Sequence, residues 1–183
     1  ISGTFSQGGY EGTFALVNRG EQPLAPNPSA AAATSADELY QDPQGLFTAP
    51  IPTNWTATEG DGFVLLSDPE QKLKIYLLTL AAPAGDLAAA IKAGWAKVDP
   101  AFALEQRESL EPPASDGLEK NLVITYETPK ERIVQGAAVL HQGLAYLFLF
   151  DGDLVTVEKR AAQINIIQSG LDILALEKRD LST

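Results

Sequence analysis

Residues 145–150 read AYLFLF, and this apolar run decides what kind of fold the chain can adopt. Successive side chains of a β-strand point to opposite faces of a sheet. Because every position of the run is apolar, both faces of the strand need to be covered by other structure. The run therefore predicts a central strand in a sheet that is buried on both sides.

Further strand patterns lie on either side of this run. Each shows alternating or continuous apolar character and is bounded by turn residues. Short turns between neighbouring strands predict antiparallel pairing. The patterns are GFVLLSD (62–68), KLKIYLLTLA (72–81), the more polar ALEQRESLEPP (103–113), NLVITYET (121–128) and RIVQGAAVLHQ (132–142). The polar segment, which carries Glu105, Glu108 and Glu111, is expected at an edge, where charges discourage pairing with other chains.

Two helices are predicted to cover the sheet. GDLAAAIKAGWAKV (85–98) has an apolar stripe at Leu87, Ile91, Trp95 and Val98, with Asp86 or Gly85 as its cap. TVEKRAAQINIIQSGLDIL (156–174) reads as one closing helix, with Asp153 or Thr156 as its cap. An antiparallel sheet between helices is an α/β/α sandwich of the α+β class.

The chain ahead of this module has a different composition. Residues 1–20, ISGTFSQGGYEGTFALVNRG, predict a β-hairpin, and residues 21–38 predict a Pro/Ala-rich linker whose polyalanine could instead form one helical turn. We expect the module itself to span 39–176 and a charged exit segment to span 177–183. A lone hairpin is marginal in water, so it should dock on the module or on a second copy, which would make a homo-oligomer.

Composition excludes several classes of function. The formal net charge of −11 argues against binding nucleic acid or an anionic membrane surface. The absence of cysteine excludes disulfides, zinc–thiolate sites and thiol catalysis. The apolar runs are too short to span a bilayer, so no membrane span is expected.

The sequence lacks the motifs of two common catalytic classes. The sequence contains no S-x-x-K and no G-x-S-x-G, the short motifs that mark two large classes of serine hydrolase. His141 is the only histidine, and alternation places it with Ile133, Ala137 and Val139, which favours a core or edge role over a catalytic one. No cofactor and no metal are expected, since one histidine makes a weak metal site.

Aromatic residues offer two interpretations, a hydrophobic core or the lining of a ligand cleft. Trp95 lies on a helix stripe and favours the core. Trp55 lies in a Pro-flanked loop and favours the surface or a cleft. The candidate ligand-binding residues are Trp55, Tyr76, Tyr126, His141 and Tyr146.

The span 46–174 resembles the PsbP/Mog1-like family. The similarity rests on FTAPIPTNW (47–55) opening the domain, followed by the strands and helices above in their order. The resemblance implies a central antiparallel sheet between helices and a binding or assembly role. It supplies no catalytic residue to carry over.

The two ends of the chain resemble parts of a larger protein. ISGTFSQGGYEGTFAL (1–16) is similar to the end of a small β-rich domain found ahead of bacterial hydrolases, and RDLST (179–183) is similar to the segment just before a beta-lactamase-related serine hydrolase domain. The chain also starts at Ile1 rather than Met, so we expect it to be a segment of a longer protein.

These resemblances imply a non-catalytic accessory module of an exported bacterial serine hydrolase. Such a module would act outside the cytoplasm and would position substrate, cell-envelope material or other domains of its parent chain. The alternative is a small-molecule or lipid-binding domain with an aromatic-lined cleft. A third hypothesis, an independent enzyme that uses acidic pairs or His141, stays open at this point.

Overall fold

A computed structural model describes residues 2–7, 10–15, 36–115 and 117–174. The chain divides into two compact units. Trp55–Lys159 forms the first, which we call the sheet unit. Ile1–Asn54 and Arg160–Thr183 together form the second, which we call the flanking unit.

Strands outnumber helices in the described part of the chain, and seven strands precede the first α-helix. The strands are β1 (Ser2–Gln7), β2 (Tyr10–Ala15), β3 (Ala36–Gln41), β4 (Phe47–Pro52), β5 (Thr56–Gly60), β6 (Phe63–Ser67), β7 (Leu73–Ala81), β8 (Gln106–Leu110), β9 (Lys120–Tyr126), β10 (Arg132–His141), β11 (Leu144–Asp153) and β12 (Asp172–Ile173). The helices are α1 (Leu87–Val98), α2 (Leu154–Lys159) and α3 (Ala161–Gly170).

The sheet unit is built on a seven-stranded antiparallel sheet with the order β5-β6-β7-β11-β10-β9-β8. β11 is the middle strand and pairs with β7 on one side and β10 on the other. Every side chain of the AYLFLF run is at most 7% exposed. The predicted α+β class with a central antiparallel sheet is therefore confirmed, and the run that predicted it occupies the centre.

The two edges of this sheet are polar strands. Every residue of β5 and of β8 is exposed. β8 contains Arg107 and Glu108, which agrees with the edge position expected for this segment. Charged edge strands discourage the addition of strands from other chains.

Helix α1 covers one face of the sheet. Its N-terminus is capped by Asp86, whose carboxylate accepts a 3.0 Å hydrogen bond from the Ala89 N–H. The predicted helix is thus confirmed, and its apolar stripe packs on β7, β9, β10 and β11 in one buried cluster. Members of this cluster include Leu87, Ile91, Trp95, Leu78, Leu122, Val134, Leu147 and Leu149.

The other face of β11 carries Tyr146, Phe148 and Phe150, which alternate with the side chains that meet α1. Helix α2 follows β11 directly and begins after Asp153, whose carboxylate accepts a 2.9 Å hydrogen bond from the Thr156 N–H. Of the two predicted caps, Asp153 is the one that acts. The Thr156 hydroxyl donates a second hydrogen bond to the same oxygen. The two bonds from Thr156 hold the pKa of the Asp153 carboxyl below its ordinary value.

The prediction of one continuous closing helix over 156–174 is wrong. Arg160 leaves helical geometry at φ −103° and ψ 10°, which separates α2 from α3. Gly170 ends α3, where an added Cβ would lie 2.6 Å from Pro50 Cγ of β4. Residues 172–173 then pair with Phe47 and Thr48 as β12. Strand pairing in the flanking unit outweighs the helical period of the sequence.

The flanking unit contains the three-stranded sheet β12-β4-β3 and the separate hairpin β1-β2. The predicted hairpin forms, with Gln7 opposite Tyr10, and β2 contacts α3. Most of the predicted linker (21–38) and all of the exit segment (177–183) lie outside the described residues. The domain boundaries therefore stay predictions.

Two glycines allow α1 to approach the sheet closely. A Cβ added at Gly136 of β10 would lie 2.5 Å from Ile91 Cγ2 and 3.3 Å from Leu149 Cδ2. A Cβ added at Gly94 of α1 would lie 2.6 Å from Leu147 Cδ1. Since Ile91 Cγ2 belongs to a stiff β-branched side chain, the contact at Gly136 has the less room to relax.

We expect Gly136→Ala to lower the free energy of unfolding by about 1–3 kcal/mol, because the added methyl overpacks the helix–sheet contact. Urea denaturation measures this change. In an Ile91→Ala background, where the clashing methyl is gone, the same substitution should cost less. An equal cost in both backgrounds would show that the contact with Ile91 is not the cause.

Candidate functional site

The five candidate residues do not meet in one place. Tyr76 and Tyr126 lie on the α1 side of the central sheet, beside Trp95. Tyr146 lies on the opposite face, and His141 shares that face by register. Trp55 lies outside the sheet, just before β5. The single aromatic cleft that would contain all of them is not formed.

Tyr76 and Tyr126 belong to a packed aromatic cluster around Trp95. The Trp95 and Phe102 rings stack with centroids 4.4 Å apart and an interplanar angle of 6°. Tyr126 meets these two rings edge-on, at 6.1 Å and 4.9 Å. Tyr76 meets Trp95 edge-on at 6.3 Å, and ring pairs of this kind stabilise a core. This aromatic group closes the end of the α1 core.

Burial changes the acidity of both tyrosines in this group. Burial raises the pKa of Tyr126 to about 12, and the neighbouring Trp95 indole opposes this only in part. The pKa of Tyr76 is also raised, by burial first and then by the negative charges of Asp151 and Asp99. Both phenols are therefore held in their neutral form.

Trp55 is buried, with 7% of its surface exposed, so of the two expected positions, surface or cleft, the surface is wrong. It lies in the Pro-flanked loop that the sequence predicted, directly before edge strand β5, and packs inward. The Trp55 indole N–H is buried without a hydrogen-bond partner. Because an indole only donates, a single such group gives a limited binding site.

A polar cluster lies on the other face of the sheet, at one end of its central strands. Thr79 of β7 is opposite Tyr146 of β11, Tyr146 is opposite Val139 of β10, and Val139 is opposite Asn121 of β9. His141 lies two residues beyond Val139 on the same face. We call Thr79, Asn121, His141 and Tyr146 the polar cluster.

Two members of the polar cluster are almost completely buried. His141 is 1% exposed and Asn121 is 2% exposed. The His141 Nε2, the Asn121 Oδ1 and the Thr79 Oγ1 are all buried without a hydrogen-bond partner. Tyr146, 4% exposed, lies between the strands that carry them.

The hydrogen bond at Nδ1 fixes the tautomer of neutral His141. Nδ1 lies 2.9 Å from the Gly117 carbonyl oxygen. A carbonyl oxygen only accepts, so Nδ1 carries the proton and donates it. In the neutral ring, Nε2 is then left with a lone pair and no proton.

The amide of Asn121 is oriented by a similar contact. Its Nδ2 donates a 2.8 Å hydrogen bond to the Pro113 carbonyl oxygen. The acceptor oxygen Oδ1 therefore points away from that contact and has no partner. Both Asn121 and His141 donate a hydrogen bond to the segments 111–115 and 117–119, which together we call the covering loop, and both keep an acceptor unused.

The sequence patterns did not single out Asn121 and Thr79 as candidate site residues. Each lies in a strand whose other residues are mostly apolar, NLVITYET and KLKIYLLTLA. A polar residue inside such a strand was the available signal, since strands near the centre of a sheet bury both faces. It could be used only once the strand order was known.

The described residues outside the polar cluster offer little further chemistry. They contain no group of three or more His, Asp or Glu side chains that could hold a metal ion. Arg132 donates two hydrogen bonds to Asp151, of 2.8 Å and 2.7 Å, and this pair is partly exposed at the surface. A surface pair of this kind contributes little to stability.

Comparison with known proteins supports the fold. No protein-family model and no curated protein matches the chain. Among solved structures, the solution structure of cyanobacterial PsbP (CyanoP) from Synechocystis sp. PCC 6803 is similar, with a TM-score of 0.54 and 13% identity. The match covers 74% of this chain and 91% of that one. The fold is PsbP-like, as the resemblance implied, and at this identity the likeness concerns the fold alone.

The part of the chain that the structure describes contains no helix that is long and apolar enough to cross a membrane.

We expect the neutral phenol of Tyr126 to make stability depend on alkaline pH. Since its folded pKa is about 12 and the ordinary value is 10.0, the folded state holds this proton more tightly. Its contribution is complete below pH 10 and is lost as the pH rises towards 12. Urea midpoints at several alkaline pH values should fall less steeply in Tyr126→Phe than in the wild type. Identical slopes would contradict the assignment.

Proposed function

We propose that this chain is a non-catalytic binding module that holds a small polar ligand at the polar cluster. One observation carries this proposal. His141 and Asn121 are almost fully buried on the same face of the sheet, and each leaves a hydrogen-bond acceptor without a partner among the described residues.

The cost of such atoms supports the proposal. A buried polar atom without a partner costs about 1–3 kcal/mol, and a folded domain has a net stability of only about 5–15 kcal/mol. Two or three such atoms at one end of a sheet would therefore use a large part of that stability. A bound molecule that supplies the missing hydrogen bonds removes the cost.

The surroundings of His141 favour binding over catalysis. In a Ser-His-Asp arrangement the Nδ1–H is held by a carboxylate, which stabilises the charged ring that forms during the reaction. Here it is held by the Gly117 carbonyl oxygen. A backbone carbonyl orients the ring but supplies no full negative charge, so His141 is better suited to accept a hydrogen bond from a ligand.

The wider context in the proposal comes from the sequence resemblances. The module would belong to an exported bacterial serine hydrolase of the beta-lactamase-related type and would act outside the cytoplasm. It would position substrate or partner domains of the parent chain, and the hairpin β1-β2 would be available for pairing two copies. The aromatic group around Trp95 is packed ring on ring, so the polar cluster is the more suitable ligand site.

Binding at the polar cluster can be tested by NMR with glycerol, glucose and acetamide as probes. We expect at least one probe to cause saturable shifts in the amide resonances of Thr79, Asn121 and His141. Thr79→Val, which removes one hydroxyl at constant shape, should weaken this response. Thr125→Val is the matched control, because Thr125 lies on the same face but its hydroxyl is already bonded to Gln135.

The binding proposal is contradicted if no probe saturates, or if both valine variants respond as the wild type does. The proposal that the chain is non-catalytic is tested separately. The purified chain should not hydrolyse nitrocefin or p-nitrophenyl acetate, and turnover that disappears in His141→Asn would show that the chain is an enzyme.

A further inference from the structure

We propose that the ligand of the polar cluster is a neutral molecule that donates hydrogen bonds through hydroxyl groups, as a polyol or a sugar does. This inference rests on the proposed function and specifies the chemistry of the same site. It follows from the unpaired acceptor atoms of His141 and Asn121 and from the charges of the described residues around them.

The unpaired atoms at the site are mainly acceptors. Nε2 of neutral His141 is an acceptor because the proton is on Nδ1, where it is bonded to Gly117. Oδ1 of Asn121 is an acceptor because the amide nitrogen is bonded to Pro113. Only Thr79 Oγ1 can also donate. A ligand that only accepts hydrogen bonds would leave both buried acceptors unpaired.

The spacing of these acceptors suits a ligand with more than one donor. Asn121 is opposite Val139, and His141 lies two residues further along β10. Residues in such a diagonal relation on neighbouring strands lie about 7–8 Å apart, with their Cβ atoms somewhat closer. Two hydroxyls on adjacent carbon atoms could bond to both acceptors at once.

Among the described residues none places a buried carboxylate at the site, and this favours a neutral ligand. Among the described residues, Asp68 is the one fully buried carboxyl, and it lies in the turn before β7. Thr79 is near the other end of that strand. Glu119 is exposed, and its carboxylate accepts a 2.6 Å hydrogen bond from the Gln142 N–H. A buried ammonium group without a facing carboxylate is strongly unfavourable.

Water is the natural competitor for this site, because buried water molecules commonly satisfy two to four polar groups. A ligand hydroxyl offers the same donors and adds the contacts of its carbon skeleton. The test therefore compares pairs of small molecules that share a skeleton and differ only in their donors.

The tautomer of His141 is measured first. Because the chain has a single histidine, a long-range ¹H–¹⁵N spectrum shows one ring without ambiguity. At a pH where the ring is neutral, we expect the proton on Nδ1 and an unprotonated Nε2. A proton on Nε2 would overturn the inference, since that atom would then be a donor.

The ligand class is measured with ethylene glycol and 1,2-dimethoxyethane as the matched pair. We expect ethylene glycol to shift the Nε2 resonance saturably, and the methylated ether to bind about tenfold more weakly or worse, because it has no donor. Methylammonium tests the charge, and it should bind more weakly than ethylene glycol. A dimethoxyethane or methylammonium response as strong as that of ethylene glycol would contradict the proposed class while leaving a binding site in place.

One variant distinguishes the acceptor role of His141 Nε2 from the bond that His141 Nδ1 makes to the covering loop. His141→Asn keeps an N–H near the position of Nδ1, where it can still bond to Gly117, and removes Nε2. We expect it to reduce the affinity for ethylene glycol about tenfold, as measured from the amide shifts of Thr79 and Asn121. Thr125→Val should leave the affinity unchanged.

If His141→Asn fails to fold, Asn121→Ala, which removes the other acceptor, provides the second measurement and should also weaken glycol binding. Affinities in all variants equal to the wild type would overturn the inference. If no probe shifts the His141 ring at any concentration, the site holds water only, and both the ligand class and the proposed function fail.

Discussion

The structure depends on the burial of β11 from both sides. A strand with apolar side chains on both faces has to occupy the middle of a sheet, with strands on either edge and packing above and below. On one face, the stripe of α1 packs closely because Gly136 and Gly94 carry no side chain. On the other face, Tyr146, Phe148 and Phe150 are buried as well.

The same burial gives the polar cluster its chemical character. His141 and Asn121 lie beside the centre of the sheet, so the atoms they do not use within the protein are not exposed to bulk water. Each donates a hydrogen bond to a backbone carbonyl of the covering loop, His141 to Gly117 and Asn121 to Pro113. Each keeps one acceptor atom unpaired. The two side chains proposed to bind the ligand thus also hold this loop through its Pro113 and Gly117 carbonyls.

Local patterns predicted the elements well where one interaction dominates. The AYLFLF run predicted the central strand, and the stripe with the Asp86 cap predicted α1, because burial and capping act over short spans of sequence. The break at Arg160 and the pairing of β12 with β4 depend on distant residues, so the closing helix was predicted too long. Of the residues in the polar cluster, the sequence pointed to His141 and Tyr146 as candidates, but placing Asn121 on the same face required the register of the strands.

A high-resolution crystal structure of the chain grown or soaked in glycerol tests the central claim most directly. The account predicts an ordered glycerol whose hydroxyls lie within about 3.2 Å of His141 Nε2 and Asn121 Oδ1, with Nδ1 still bonded to Gly117. It is contradicted if those two acceptors are bonded to protein groups, or if only water molecules occupy the site.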